Sequence, residues 1–113
     1  MLLSLIVCFN MIFENAFFTE MLLPFLLVFV VYATAVDKRS TSSLEGFAIG
    51  LVVLLGVMVG GPISGGSMNP ARVFGPALAS GHFENHYVWW LGPIAGGVLA
   101  GLVYENIFAE KKK

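Results

Sequence analysis

Three stretches of this chain contain no Lys, Arg, Asp or Glu: Met21 to Val36, Gly46 to Ala71 and Asn85 to Tyr104. A helix crosses the hydrocarbon core of a bilayer with ~20 apolar residues, so each stretch suits one membrane span. Composition agrees, since 12% of the residues are charged and 58% hydrophobic, whereas a soluble domain carries roughly a quarter charged residues. The expected fold is an all-α membrane protein with helices over about 17–36, 44–59 and 87–108. Residues 1–16 are apolar but short and interrupted by Asn10, Glu14 and Asn15. They read as a partial span, an interfacial segment or the tail of a further helix. A secretory signal fits less well, because basic residues before the apolar run and a small-x-small cleavage site are both lacking.

The net charge of -1 hides a polarised arrangement. Basic residues gather at Lys38 and Arg39 and in the tail 109–113, at Lys111, Lys112 and Lys113. By the positive-inside rule, loop 37–43 and the C-terminus face the cytoplasm of a multi-pass protein of the cell membrane. The connection 60–86 then enters from the outer side. The single cysteine, Cys8, rules out an internal disulfide and a cysteine-cluster metal site. Glycines at four-residue spacing, Gly46 with Gly50, Gly56 with Gly60, Gly92 with Gly96 and Gly97 with Gly101, let helix backbones approach closely. Tyr87, Trp89, Trp90 and Tyr104 sit near helix ends, where aromatic residues anchor a protein at the membrane interface.

Connection 60–86 is too apolar to lie in water and too broken, by Gly60, Gly61, Pro62, Gly65 and Gly66, to be one helix. Irregular backbone survives at membrane depth only when buried in protein or lining a water-filled cavity. A re-entrant segment over 60–79 is therefore expected. Pro70 suits the first turn of a helix and Asn69 the cap before it, giving a half-helix halted at Ser80 and Gly81. Its N-terminus would direct a positive dipole end at the cavity, with Asn69 adding amide donors there. Arg72, one turn further on, keeps its charge and needs water or a partner. Together they describe a filter that holds a neutral oxygen acceptor and repels cations and protons. In the plainer reading Asn69 only caps, and Arg72 snorkels to the interface.

The run Ser64-Gly65-Gly66-Ser67-Met68-Asn69-Pro70-Ala71-Arg72-Val73-Phe74-Gly75-Pro76-Ala77-Leu78 closely resembles the second Asn-Pro-Ala box of the aquaporin and glycerol-facilitator family. The resemblance extends over about 17–108 through Thr19-Glu20, Asp37, Ala48-Ile49-Gly50, Asn85-His86 and Trp90-Leu91-Gly92-Pro93, and its details look most like archaeal members. It implies three transmembrane helices plus one re-entrant half-helix, equivalent to the second inverted repeat of that fold. Asn69, within the motif Asn69-Pro70-Ala71, would donate to a permeating water. Carbonyls of Gly65, Gly66, Ser67 and Met68 would form an acceptor ladder, and Arg72 would stand at the outer constriction. Val57 aligns with a histidine of water-selective relatives, and Gly66 with a position often occupied by cysteine or a larger residue. Both widen the filter toward glycerol or other small neutral solutes. Against a glycerol channel, Val73 and Ala77 replace the acidic residue and the lysine of that branch. Glu20 has two readings: a carboxylate at the interface favouring the helix dipole, or, by resemblance, a buried acceptor supporting the loop. His82 and His86 read as solvated or capping residues.

The family fold joins two such halves, and this chain shows one Asn-Pro box. Three readings stay open. The chain is a half-length channel that conducts only with an N-terminal half, or a split channel pairing with a separate half or an inverted copy. The third is a non-conducting protein that associates with full-length channels. The partners implied are the lipid bilayer, water or small neutral solutes, and a complementary half or homo-oligomer, full-length relatives being tetramers. No enzyme activity, cofactor, metal or nucleic acid is expected.

Overall fold

The computed structural model describes residues 2–41 and 43–109, with side chains described from residue 14 onward. Cys8 as a side chain and the lysine tail lie outside the described residues. Among those described there are four α-helices: α1 (Leu2–Val31), α2 (Glu45–Ser64), α3 (Pro70–Ser80) and α4 (Val88–Val103). Both α1 and α4 finish in a π-helical turn, Tyr32–Val36 and Tyr104–Phe108. The segments Glu14–Val36, Glu45–Ser64 and Val88–Phe108 are long and apolar enough to cross a membrane.

Two boundaries differ from those expected. Helix α1 does not begin at residue 17 but extends without a break from Leu2 and continues through Pro24. Helix α2 does not end near residue 59 but continues to Ser64 through Gly60, Gly61 and Pro62. The energetic balance explains the second. A helical glycine costs ~1 kcal/mol relative to alanine, while a backbone group left unpaired in hydrocarbon costs several kcal/mol. The helix therefore persists until Gly65, in the left-handed region at φ 89°, closes it with an N–H···O bond to Gly61.

Helix α1 is central and packs on both α4 and α2. The α1–α4 seam is made by glycines: a Cβ on Gly96 would stand 1.9 Å from the Met21 carbonyl oxygen, and one on Gly92 3.1 Å from Glu20 Cβ. Gly46 and Gly50, by contrast, face open space, so only part of the four-residue spacing is used within the chain. Many of the buried side chains are small or polar, beside Leu23, Met68, Val88 and Tyr104. Ala16, Ala77 and Ala100 are buried with Glu20, Ser64 and Ser67, while Phe47, Met58 and Ile107 point outward. This inverts a soluble core, as expected where the surrounding medium is itself apolar.

At the end of the molecule remote from α3, the two π-turns are clamped together. Asp37 accepts a hydrogen bond from the Tyr104 hydroxyl (2.7 Å) and an ion pair from Arg39 (2.6 Å), and Arg39 also donates to the Phe108 carbonyl. Tyr104 is buried and packs against Phe29 and Tyr32, so it ties helices together and is not an interfacial anchor. The Arg39 guanidinium and backbone N–H, then the Tyr104 hydroxyl, hold the Asp37 carboxyl well below the usual carboxylate range. A depressed carboxylate stabilises the fold above its ordinary titration range, and that contribution disappears as pH falls through the depressed value.

Two outcomes follow from this packing. Gly96→Ala lowers stability in micelles by about 1–3 kcal/mol, read by denaturant unfolding followed by circular dichroism, while Gly50→Ala leaves it nearly unchanged. The Asp37 carboxyl carbon, followed by NMR on acidification, titrates with a midpoint below the ordinary 3.8, and Tyr104→Phe moves that midpoint upward.

Candidate functional site

The loop between α2 and α3 is organised by one carboxylate. Glu20, projecting from α1, is 0% exposed. Its Oε1 accepts from Ser64 Oγ (2.7 Å) and the Ser67 backbone N–H (2.9 Å), and its Oε2 accepts from the Met68 N–H (2.9 Å). Of the two readings of Glu20, the structure adopts the buried acceptor. Hydrogen bonds to an ionised acceptor contribute ~1.5–3 kcal/mol each, which offsets the backbone strain at Met68. That residue sits at φ 55°, a left-handed conformation costing ~1–2 kcal/mol outside glycine.

Close packing fixes the loop from its other side. Gly66, at φ 58°, lies so near α2 that a Cβ would stand 3.1 Å from the Gly56 oxygen and 3.1 Å from Val57 Cα. The buried Met68 side chain occupies the space where a Gly56 side chain would go, its Sδ 2.8 Å from that Cβ position. Val57 and Gly66, the two filter positions expected from the sequence, are thus direct neighbours. From α4, the Trp89 indole N–H donates to the Ser64 carbonyl at 3.0 Å. Trp89 was expected at the interface; it serves instead to brace the end of α2.

Glu20 takes the Ser67 and Met68 N–H groups, and those of Gly65, Gly66 and Asn69 go to the Gly61 carbonyl, Ser64 Oγ and Ser67 Oγ, while the carbonyl oxygens of Gly65, Gly66, Ser67 and Met68 accept no hydrogen bond among the described residues. Asn69 caps α3 as anticipated, its Oδ1 accepting from the Ala71 N–H at 2.9 Å, with Pro70 opening the first turn. The Asn69 side chain is exposed, and with its oxygen engaged its Nδ2 amide has no hydrogen-bond partner among the described residues. Arg72, also exposed, makes no hydrogen bond or ion pair among the described residues. Asn69 and Arg72 lie within one turn of the same short helix, so donor, dipole end and fixed cation share one end of the loop.

Sequence reasoning missed Ser64 and Trp89. Ser64 carries a weak signal, a hydroxyl at the end of an otherwise apolar helix, but its acceptor lies 44 residues away. His86 departs from the solvated reading: it is half-buried among rings and accepts from the Trp90 indole N–H at 2.9 Å, whereas His82 is exposed beside the Ser80 carbonyl.

A family model described as major intrinsic protein matches residues 5–104. The chain is 54% identical over 91 residues to aquaporin TIP2-1 of Arabidopsis thaliana, an alignment covering 79% of this chain and 36% of that protein. It is 54% identical over 96 residues to the probable aquaporin TIP4-1 of Oryza sativa subsp. japonica, covering 82% and 38%. With aquaporin TIP4-4 of Zea mays the identity is 53% over 90 residues, covering 79% and 36%. The chain thus spans 36–38% of the length of these relatives. They are plant proteins, so the archaeal likeness expected from motif details is not supported. A motif dictated by the geometry of a loop carries little information about lineage.

Glu20→Gln tests the loop's dependence on this carboxylate. The amide replaces one acceptor by a donor, leaving at least one buried N–H or hydroxyl unpaired at a cost of about 1–3 kcal/mol. Hydrogen exchange at the Ser67 and Met68 amides should accelerate, and unchanged exchange would exclude Glu20 as their support.

Proposed function

The chain belongs to the major intrinsic protein family, and from that premise we propose that it forms one wall of a membrane channel passing water and other small neutral solutes. The observation that supports this most directly is the division of polar groups around the loop. Glu20 takes the Ser67 and Met68 N–H groups, while four successive carbonyls and the Asn69 amide are left to other partners. A water molecule both donates and accepts. The carbonyls of Gly65, Gly66, Ser67 and Met68 receive its hydrogens in turn, and Asn69 Nδ2 donates to its oxygen at the end of α3. The positive end of that helix and Arg72 repel cations there.

Val57 and Gly66 stand together at the filter and contribute little bulk and no polar side chain. This favours a filter wide enough for solutes larger than water, and a glycerol or small-solute facilitator is the second reading. The lysine-rich tail, Lys38 and Arg39 support a topology with loop 37–43 and the C-terminus inside and the α2–α3 loop outside. Asn69, Arg72, Val59 and Ile63 are exposed, so the pore needs an opposing wall. We assign that wall to a complementary N-terminal channel half, within a tetramer-like assembly. A non-conducting role in association with full-length channels predicts no flux through such a pairing.

Stopped-flow shrinkage of proteoliposomes tests this, with sucrose and glycerol gradients in parallel. The chain alone gives background rates. Co-reconstitution with the first half of a relative gives fast shrinkage that Asn69→Ala abolishes. Fast Asn69-dependent shrinkage by the chain alone would remove the need for a partner half, and background rates in both preparations would sink the channel reading. In the conducting assembly, Asn69→Asp admits cations and Arg72→Val raises solute uptake and proton leak, read by a pH-sensitive dye inside the vesicles.

A further inference from the structure

Beside the clamp that joins the two π-turns lies a cavity of about 290 Å³, bordered by Lys38 and Arg39 after the first turn and by Glu105 within the second. Its central polar groups satisfy one another. Asp37 spends both carboxylate oxygens on Arg39 and the Tyr104 hydroxyl. Arg39 uses Nε and Nη2 on Asp37 and the Phe108 carbonyl, which leaves Nη1 without a partner among the described residues. Lys38 and Glu105 are exposed, and neither enters an ion pair among the described residues. Two charges of opposite sign thus border one cavity without neutralising each other. The apolar spans Glu14–Val36 and Val88–Phe108 both end here, and the headgroup layer of a bilayer begins where the hydrocarbon that such spans cross stops. Val36, 54% exposed, adds apolar surface next to the charges.

We propose that this cavity binds a membrane phospholipid with a zwitterionic phosphoethanolamine headgroup. The phosphate accepts from Lys38 Nζ and Arg39 Nη1, and the ammonium donates to the Glu105 carboxylate, each as a charge-assisted hydrogen bond. A trimethylammonium headgroup has no N–H to offer Glu105. An anionic headgroup brings that carboxylate no cation and sets a further negative charge beside it. Selection therefore comes from matching both signs, whereas a purely basic cluster attracts acidic lipids without regard to the rest of the headgroup. The bound lipid bridges loop 37–43 and the end of α4, the same two elements that the Asp37–Tyr104 bond joins. The cavity lies at the end of the molecule remote from α3, and the proposal does not rest on the channel reading.

The test mixes the full chain in detergent micelles with equal amounts of dioleoyl phosphatidylethanolamine, phosphatidylcholine and phosphatidylglycerol, and counts the retained lipid by native mass spectrometry. The parent should retain phosphatidylethanolamine severalfold over each of the other two. Lys38→Gln and Glu105→Gln should each remove that preference, and Lys38→Arg should keep it. Glu45→Gln, at an exposed carboxylate in the first turn of α2, should leave it unchanged. Glu105→Gln should also shift retention toward phosphatidylglycerol, a change of selectivity that a misfolded chain does not produce. Equal retention of the three lipids by the parent, a parent preference for phosphatidylglycerol, or a preference that survives both substitutions overturns the proposal. Soluble O-phosphoethanolamine at the same concentration should not displace the lipid; displacement would assign the cavity to a free headgroup and overturn the lipid as its ligand.

Discussion

The fully buried carboxylate of Glu20 organises the loop between α2 and α3. Among the described residues Glu20 forms no ion pair, and its burial is costly unless its oxygens are hydrogen-bonded. The chain meets that requirement with backbone N–H groups from the α2–α3 loop and the Ser64 hydroxyl. The same bonds turn the loop's carbonyls the other way and hold Met68 in a conformation it would not otherwise adopt. Glu20 accounts for the polarity of the loop, and the packing of Gly66 on α2 and the Trp89 bond to Ser64 help fix its position. A neutral side chain at residue 20 that cannot accept would leave the Ser67 and Met68 N–H groups without their acceptor.

Around this centre the helices meet through absence of side chains. Gly92 and Gly96 bring α4 onto the backbone of α1, and Gly60 and Gly66 bring α2 onto the loop. In an apolar medium large side chains gain little by turning inward, so close backbone approach and polar pairing supply the specificity that a packed leucine core supplies in water. The aromatic residues are distributed accordingly. Tyr104 and Trp89 each spend their polar atom on a tertiary contact, with Asp37 and with the Ser64 carbonyl. The two sit at opposite ends of α4, so that helix is fastened to the loop at one end and to the π-turn of α1 at the other.

Much of this was legible in order of residues alone. Charge-free length fixed three spans, because a membrane imposes a length and excludes unpaired charge whatever the neighbours are. Asn69 followed by Pro70 determined where α3 starts, because a cap and a proline act on adjacent residues. The re-entrant break was visible in the glycines, but its position was not. Gly60, Gly61 and Pro62 look like breakers in isolation, and the helix passes through them because unpaired backbone in an apolar medium costs more than their poor propensity.

Partners distant in the chain are a different matter. That Glu20 meets Ser67 and Met68, that Trp89 braces Ser64 and that His86 bridges α3 and α4 are results of how helices cross. Gly92 and Gly50 are equivalent in local spacing, yet one touches Glu20 and the other nothing. The local elements and the chemistry available in the loop follow from interactions among neighbours in the chain. Direction, the side on which carbonyls and amide remain free, came from a carboxylate more than forty residues away, and no local rule specifies it.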